Sequence, residues 1–357
     1  MADYQHQQRA KIGVLIVNTG TPAAPTKQAL RPYLKQFLWD RRIVDTPRWL
    51  WWLVLNAIIL TTRPKKSARA YQRIWTERGS PLAVHTEDQA NAIQLSLHSH
   101  WGESLVVDWA MRYGDPGIES KLQSLQQQGV EKLLILPMFP QYASATTASI
   151  FDAVANYYRQ QMWLPEIHFV GHYCDHPLYI TALADSVRQH WQQHGRADKI
   201  LFSYHGEPLR YLQRGDPYHC QCLKTTRLVA EQLALQPMEY LTTFQSRFGP
   251  GDWLQPYTDE TLKALPQQNV KHVQILCPGF AADCLETVDE IAIENKRHFL
   301  SAGGNRFEYI PALNANEQHI AALVNIIATH VNSWASLKQD NREVNAQRYA
   351  AHAYNKL

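Results

Sequence analysis

Two stretches of this chain, Val130-Glu-Lys-Leu-Leu-Ile-Leu-Pro137 and Val270-Lys-His-Val-Gln-Ile-Leu-Cys277, decide how it folds. Each is a β-favouring apolar run that follows a polar helix end and leads into a loop opening a new helix. Working outward, the same kind of run recurs at Ile12–Val17, Leu105–Ala110, Ile167–Val170, Ile200–Tyr204, Tyr240–Thr243 and Phe307–Ile310. Longer polar-apolar runs separate them, among them Thr26–Leu38, Thr86–His100, Thr146–Gln161, Leu178–His194, Leu285–Leu300 and Glu317–Ser333. Strands alternating with helices predict βαβ units and parallel sheets. The strands form two groups of four, and Gly13–Gly20 echoes Lys199–Gly206 as a strand ending in a glycine-containing turn. The expected fold is therefore α/β, with two halves, each a four-stranded parallel sheet flanked by helices. The halves are read as residues 1–172 and 173–310. Residues 311–357 are read as a C-terminal helix and polar tail packing back on the first half.

Composition narrows the function. The chain has 357 residues, 45% hydrophobic and 19% charged, enough to bury a sizeable core. Its formal net charge of +3 is too balanced for a nucleic-acid binder. Five cysteines with no CxxC pair argue against a disulfide scaffold and for a reducing, cytoplasmic compartment. The N-terminal MADYQHQQRA is not a secretory signal. The most apolar window, Trp49–Leu60, is too short to span a bilayer as a helix, which needs roughly 20 residues. With Arg41, Arg42, Arg48, Arg63, Lys65 and Lys66 nearby, it reads as a buried helix, as an apolar lip over a large flat ligand, or as a peripheral membrane contact.

In open α/β sheets ligands sit beyond the carboxyl ends of the strands. That directs attention to the loops Asn18–Pro22, Met111–Pro116, Pro137–Ser149, His205–Pro217, Gln245–Trp253 and Cys277–Glu286. His205 closes a strand and precedes Gly206-Glu207-Pro208, so it stands at a strand lip as a candidate base or metal ligand. Glu286, Glu290 and Glu294 recur at i, i+4 and i+8, which on an α-helix lines one face with carboxylates able to attract a cation. Arg112 and Tyr113 follow a strand and suit a substrate carboxylate. Ser144 and Thr146 stand in a hydroxyl-rich helix start, where capping a helix or binding an anion is expected. The Asn18-Thr19-Gly20-Thr21-Pro22 loop is neither GxGxxG nor a Walker loop, so nucleotide binding is not expected.

Several of these motifs, in this order, resemble the ferrochelatases, and look most like the proteobacterial branch. The resemblance runs from about Lys11 to about Val331. It rests on Leu201-Phe-Ser-Tyr-His-Gly-Glu-Pro208 with Gly215-Asp-Pro-Tyr218, and on Pro278-Gly-Phe-Ala-Ala-Asp-Cys-Leu-Glu-Thr287. Leu136-Pro-Met-Phe-Pro-Gln-Tyr142, Arg73-Ile-Trp75, Arg112-Tyr113 and Phe244-Gln-Ser-Arg-Phe-Gly-Pro250 with Trp253 support it. The resemblance implies two Rossmann-like, chelatase-type halves enclosing a porphyrin cleft, and a lyase that inserts Fe²⁺ into protoporphyrin IX in haem biosynthesis, releasing two protons. It implies His205 as metal ligand or proton acceptor and Glu286 as the carboxylate opposite. Glu290 and Glu294 become a metal or proton relay. Asn18, Thr19, Arg112 and Tyr113 become substrate-side positions, with Ser144, Thr146, Trp253 and Phe280 beside them. Trp49–Leu60 falls at the membrane-facing lip.

Some positions depart from the family pattern. Glu207 stands where an aliphatic residue is usual, Cys284 where many relatives have histidine, and Thr19 where some Gram-positive relatives have tyrosine. The animal-type [2Fe–2S] cluster is not expected, because its internal cysteine position reads Ser144 and no cysteine follows Trp334. Cys220 and Cys222 offer two thiolates, half of a cluster's need. No prosthetic group is expected, and Fe²⁺ is a substrate. The alternatives are a chelatase for coproporphyrin III or sirohydrochlorin, and a porphyrin carrier without chemistry. The oligomeric state is left open.

Overall fold

The computed structural model describes residues 10–249 and 251–335. Eight strands build two sheets: β1 (Lys11–Gly20), β2 (Leu105–Tyr113), β3 (Val130–Pro137) and β4 (Glu166–Phe169), then β5 (Lys199–His205), β6 (Tyr240–Gln245), β7 (His272–Leu276) and β8 (Arg306–Ile310). The strand orders are β2-β1-β3-β4 and β6-β5-β7-β8, and every pairing is parallel. The echo between the two quoted stretches is thus an equivalence of position, since each is the third strand of its sheet. Central strands buried on both faces read as unbroken apolar runs. Val14, Leu15, Ile16 and Val17 of β1 are fully buried accordingly.

Local chemistry sets the helices. Thr26 caps the helix Lys27–Trp39 by accepting the Ala29 N–H at 3.2 Å. Pro81 opens the helix Pro81–Trp101, and Gly102 ends it at φ 53°. The helix Glu317–Ala335 packs on the helices Pro177–His194 and Pro81–Trp101, and on β3. One buried cluster accordingly joins Ile16 and Leu134 of the first sheet to Phe202 and Leu276 of the second through Ile327 and Val331. The expected tail beyond Ala335 lies outside the described residues.

Three runs depart from the expected α-helices by widening into π-turns, which are commonest at functional sites. The apolar window is a helix Arg48–Val54, a π-segment Leu55–Ile59 and a helix Leu60–Ile74. The helix expected from Thr146 begins as a π-turn, Ser144–Ala148. The helix expected over Leu285–Leu300 is π from Leu285 to Asn295 and α only over Lys296–Ser301. Two side-chain bonds accompany that last widening: Asn295 Nδ2 donates to the Glu290 carbonyl at 3.0 Å, and Thr287 Oγ1 accepts the Cys284 N–H at 3.0 Å.

A bidentate ion pair ties the lip to the second half. Arg73, on the helix Leu60–Ile74, donates Nε and Nη2 to Asp289 of the π-helix, each at 2.6 Å. The Asp289 side chain is 6% exposed, so removing Arg73 leaves a buried carboxylate unpaired. Arg73→Ala is expected to cost on the order of 3 kcal/mol in chemical denaturation. Arg73→Met combined with Asp289→Leu should recover much of that loss. An unchanged midpoint in the single variant would show that the pair does not pin the lip.

Candidate active site

In the order β2-β1-β3-β4 the strands step to one side of β1 for β2 and to the other for β3, and the second sheet does the same around β5. Crevices open at the carboxyl ends of strands where the order reverses. One cleft is lined from all four of these strand ends: Asn18–Thr21 at the end of β1, Met138, Phe139, Gln141, Ala143, Ala145 and Thr146 after β3, His205 and Glu207 at the end of β5, and Gly279–Ala282 with Cys284–Glu286 after β7. Tyr33, Leu34 and Phe37 from the helix Lys27–Trp39 complete an apolar wall, with Ile43 and Tyr71 beside them.

His205 is the last residue of β5 and pairs with Gln245 at the end of β6. Its Nδ1 lies 2.7 Å from the Gly206 carbonyl, which fixes Nδ1 as the donor and leaves Nε2 with its lone pair. Gly206 is obligatory there. A Cβ would lie 2.8 Å from the Gln245 carbonyl oxygen, which accepts the Gly206 N–H at 2.7 Å. Trp253 packs 3.5 Å from that same point and is 7% exposed. It therefore backs the turn carrying His205 and does not line the cleft.

The three glutamates do not form an open track. Glu286 lines the cleft with His205. Glu290 is turned toward the end of β6, where it accepts the Ser246 N–H at 2.8 Å and the Ser246 hydroxyl. Burial pushes its carboxyl up to about 7, against the Ser246 hydrogen bonds and with help from the Glu286 charge. Glu294 stands outside, 3.5 Å from Arg73.

Arg112 and Tyr113, expected on the substrate side, do not line the cleft. Arg112 Nη2 donates to Asp40 at 2.5 Å, and Tyr113 OH donates to the same carboxylate at 2.8 Å. Ser149 Oγ donates to it at 2.6 Å and accepts Arg112 Nε at 2.7 Å. Burial alone would raise the Asp40 pKa, but these donors hold it below the usual carboxylate range. The pair fastens the end of the helix Lys27–Trp39. Ser144 also turns away: its N–H donates to Asp216 at 2.7 Å, and its hydroxyl accepts Arg42 Nη1 at 3.2 Å. The cap expected of Ser144 and Thr146 is absent, since Ala143 occupies the cap position without a side-chain bond. Asn18, Thr19, Thr146 and Phe280 do line the cleft.

Sequence reasoning missed Gln245, Tyr33 and Tyr71. Gln245 is 4% exposed, accepts Ser203 Oγ at 2.7 Å and donates to the Glu286 carbonyl at 2.8 Å. A glutamine ending a strand carries no motif of its own. Burial, with the Glu286 charge contributing, raises the pKa of both tyrosines.

A carboxyl whose folded pKa is raised binds more protons folded than unfolded, so its contribution to stability falls as pH rises through its folded pKa. For Glu290 the loss begins near the ordinary 4.5 and is complete above about 7. Glu290→Gln should therefore gain stability relative to the parent between those pH values, on the order of 2 kcal/mol by urea titration. A difference that is flat with pH would refute the buried-acid assignment.

The chain was compared with known proteins. A family model described as Ferrochelatase matches residues 11–331. A ferrochelatase of Idiomarina loihiensis is 57% identical over 332 residues, 93% of this chain and 91% of the relative. One of Teredinibacter turnerae is 56% identical over 349 residues, 98% of this chain and 95% of the relative. Among solved structures, SirB from Bacillus subtilis with Fe³⁺ matches at a TM-score of 0.51 and 12% identity, covering 91% of this chain and 98% of that one. That likeness concerns the fold, the pair of chelatase-type halves. Taken over nearly its whole length, the chain belongs to the ferrochelatase family.

Proposed function

We propose that this cleft holds the metal and takes up the pyrrole protons through His205 and Glu286. The activity itself, insertion of Fe²⁺ into protoporphyrin IX to give haem, is that of the family. The observation that carries the residue assignment is that the free Nε2 of His205 and the carboxylate of Glu286 open into one apolar cleft.

Chemistry favours the assignment. A flat porphyrin shields its central nitrogens, so the protein must hold it bent, with strain drawn from apolar contacts along the macrocycle. A neutral imidazole then accepts one pyrrole proton, and a carboxylate accepts the other. One nitrogen and one oxygen ligand hold Fe²⁺ without trapping it, unlike a closed four-ligand site. Glu290, already an acid near neutrality, suits onward proton transfer from Glu286, with Glu294 at the outer end. Asn18, Thr19, Thr146 and Phe280 are assigned to the macrocycle.

The rival substrates fit less well. Coproporphyrin III and sirohydrochlorin carry more carboxylates, and among the described residues no lysine or arginine lines the cleft. A carrier would have no use for a free base beside a carboxylate. No iron–sulfur cluster is assigned. Cys174, Cys222, Cys277 and Cys284 are buried free thiols and Cys220 is exposed, in keeping with a cytoplasmic enzyme.

The lip is assigned to a membrane surface. No helix of the described residues is long and apolar enough to cross a membrane. Yet Trp49, Trp52, Leu53 and Ile58 are 50–71% exposed along one segment, while Leu55 and Leu60 point into the core. Exposed apolar side chains next to arginines suit the interface of an anionic bilayer.

Two experiments test these assignments. His205→Ala and Glu286→Ala should each lose about 10²–10⁴-fold in anaerobic metal insertion while quenching porphyrin fluorescence as the parent does. Full turnover in His205→Ala would remove it from the mechanism. In flotation with phosphatidylglycerol-containing vesicles, the protein should rise with the lipid, and Trp49→Glu combined with Trp52→Glu should leave it in the aqueous fraction. Equal flotation of both forms would overturn the lip assignment.

A further inference from the structure

The cleft holds one acid that the reaction as described does not use. Glu207 follows His205 by two residues and lines the same cleft. It is 7% exposed. Its backbone carbonyl accepts the Leu254 N–H at 2.9 Å, which fixes its position beside the turn. Its carboxyl group makes no hydrogen bond or ion pair among the described residues.

An unpartnered acid in such a place is costly, and an aliphatic side chain would avoid the cost. The counter-charge is not supplied by the walls of the cleft, where the described residues include neither lysine nor arginine. The charged neighbour that acts on Glu207 is a second acid, Asp216, which is itself engaged by the N–H groups of Ser144 and Tyr218 at 2.7 and 3.0 Å. A porphyrin brings carboxylates of its own, so it does not complete the site either. The one reactant of opposite sign is the metal ion.

We infer that Glu207 is a further ligand for the incoming divalent metal, receiving it beside His205 Nε2 before insertion. The inference rests on the assignment of His205 to this cleft. Imidazole nitrogen with carboxylate oxygen is a donor set suited to Fe²⁺ and Zn²⁺. Both groups leave from the end of β5, so they offer the metal from one wall. Release into the macrocycle then exchanges these protein ligands for four pyrrole nitrogens, and the two pyrrole protons pass to the His205 Nε2 that the metal vacates and to Glu286. Glu207 acts on metal capture, and a variant lacking it keeps the apolar contacts that hold the porphyrin.

The test separates the two substrates. Insertion is measured anaerobically with Fe²⁺ varied at saturating protoporphyrin IX, and then with the porphyrin varied at saturating Fe²⁺. Glu207→Gln keeps the shape without the charge, and Glu207→Leu removes the buried acid. Both should raise the KM for metal about tenfold or more, with the KM for porphyrin little changed. Glu207→Leu should also melt at a higher temperature than the parent, which a merely structural role would not combine with weaker metal capture. Zn²⁺ titration of the porphyrin-free protein by calorimetry should show weaker binding in both variants. An unchanged metal KM and Zn²⁺ affinity in both, or a rise confined to the porphyrin KM, would overturn the inference. A parent protein that inserts no metal would instead count against the assignment of the cleft.

Discussion

Gln245 holds the working parts of this cleft together. Its backbone carbonyl accepts the Gly206 N–H at 2.7 Å, so closely that residue 206 can carry no side chain. Its side chain accepts Ser203 Oγ and donates to the Glu286 carbonyl, at 2.7 and 2.8 Å. One buried glutamine at the end of β6 thereby sets both the turn that presents His205 and the first turn of the π-helix that presents Glu286. Buried amides in such positions are satisfied at every donor and acceptor or they destabilise. Here the cysteine Cys277 adds a further sulfur contact to Gln245 Oε1 at 3.7 Å. The backbone beside His205 and that of Glu286 are thus both held by one residue at a strand end.

The rest of the architecture encloses that pair. Strand order places the reversal points of two sheets at one cleft, and a shared apolar core keeps the sheets together. The lip closes from above through Arg73 and Asp289. Charge is distributed by the same logic. Two carboxylates outside the cleft, Asp40 and Asp289, are paired with Arg112 and Arg73. Those that open into it, Glu286 and Glu207, have no cationic partner on the cleft walls.

Much of this was legible in the residues. The eight strands, their grouping and the candidate pair of His205 and Glu286 could be read because apolar runs, glycine turns and ordered motifs are local signals. The roles of Arg112 and Tyr113 could not. Their position at the end of a strand is the same whether the guanidinium reaches a substrate or an aspartate far away in sequence, and here both side chains meet Asp40. The directions of Trp253 and Ser144 were hidden for the same reason, since a side chain's direction there is set by what packs against it. The directions of the acidic row were hidden by geometry: a spacing of four implies one face of an α-helix, whereas the backbone from Leu285 to Asn295 is π.

By itself the sequence determined the α/β class, the doubling of the fold, the ends of strands where chemistry would lie, and the family pattern. These follow from periodicity and steric rules that act within a few residues. Only the tertiary structure decided which polar side chains are spent on one another and which face the cleft. It tied Arg112 and Tyr113 to Asp40, Glu290 to Ser246 and Arg73 to Asp289, and it left His205, Glu286 and Glu207 open. Hydrogen bonds and ion pairs form between groups brought together by packing. Arg73 and Asp289 stand 216 residues apart, a separation over which no local pattern carries information.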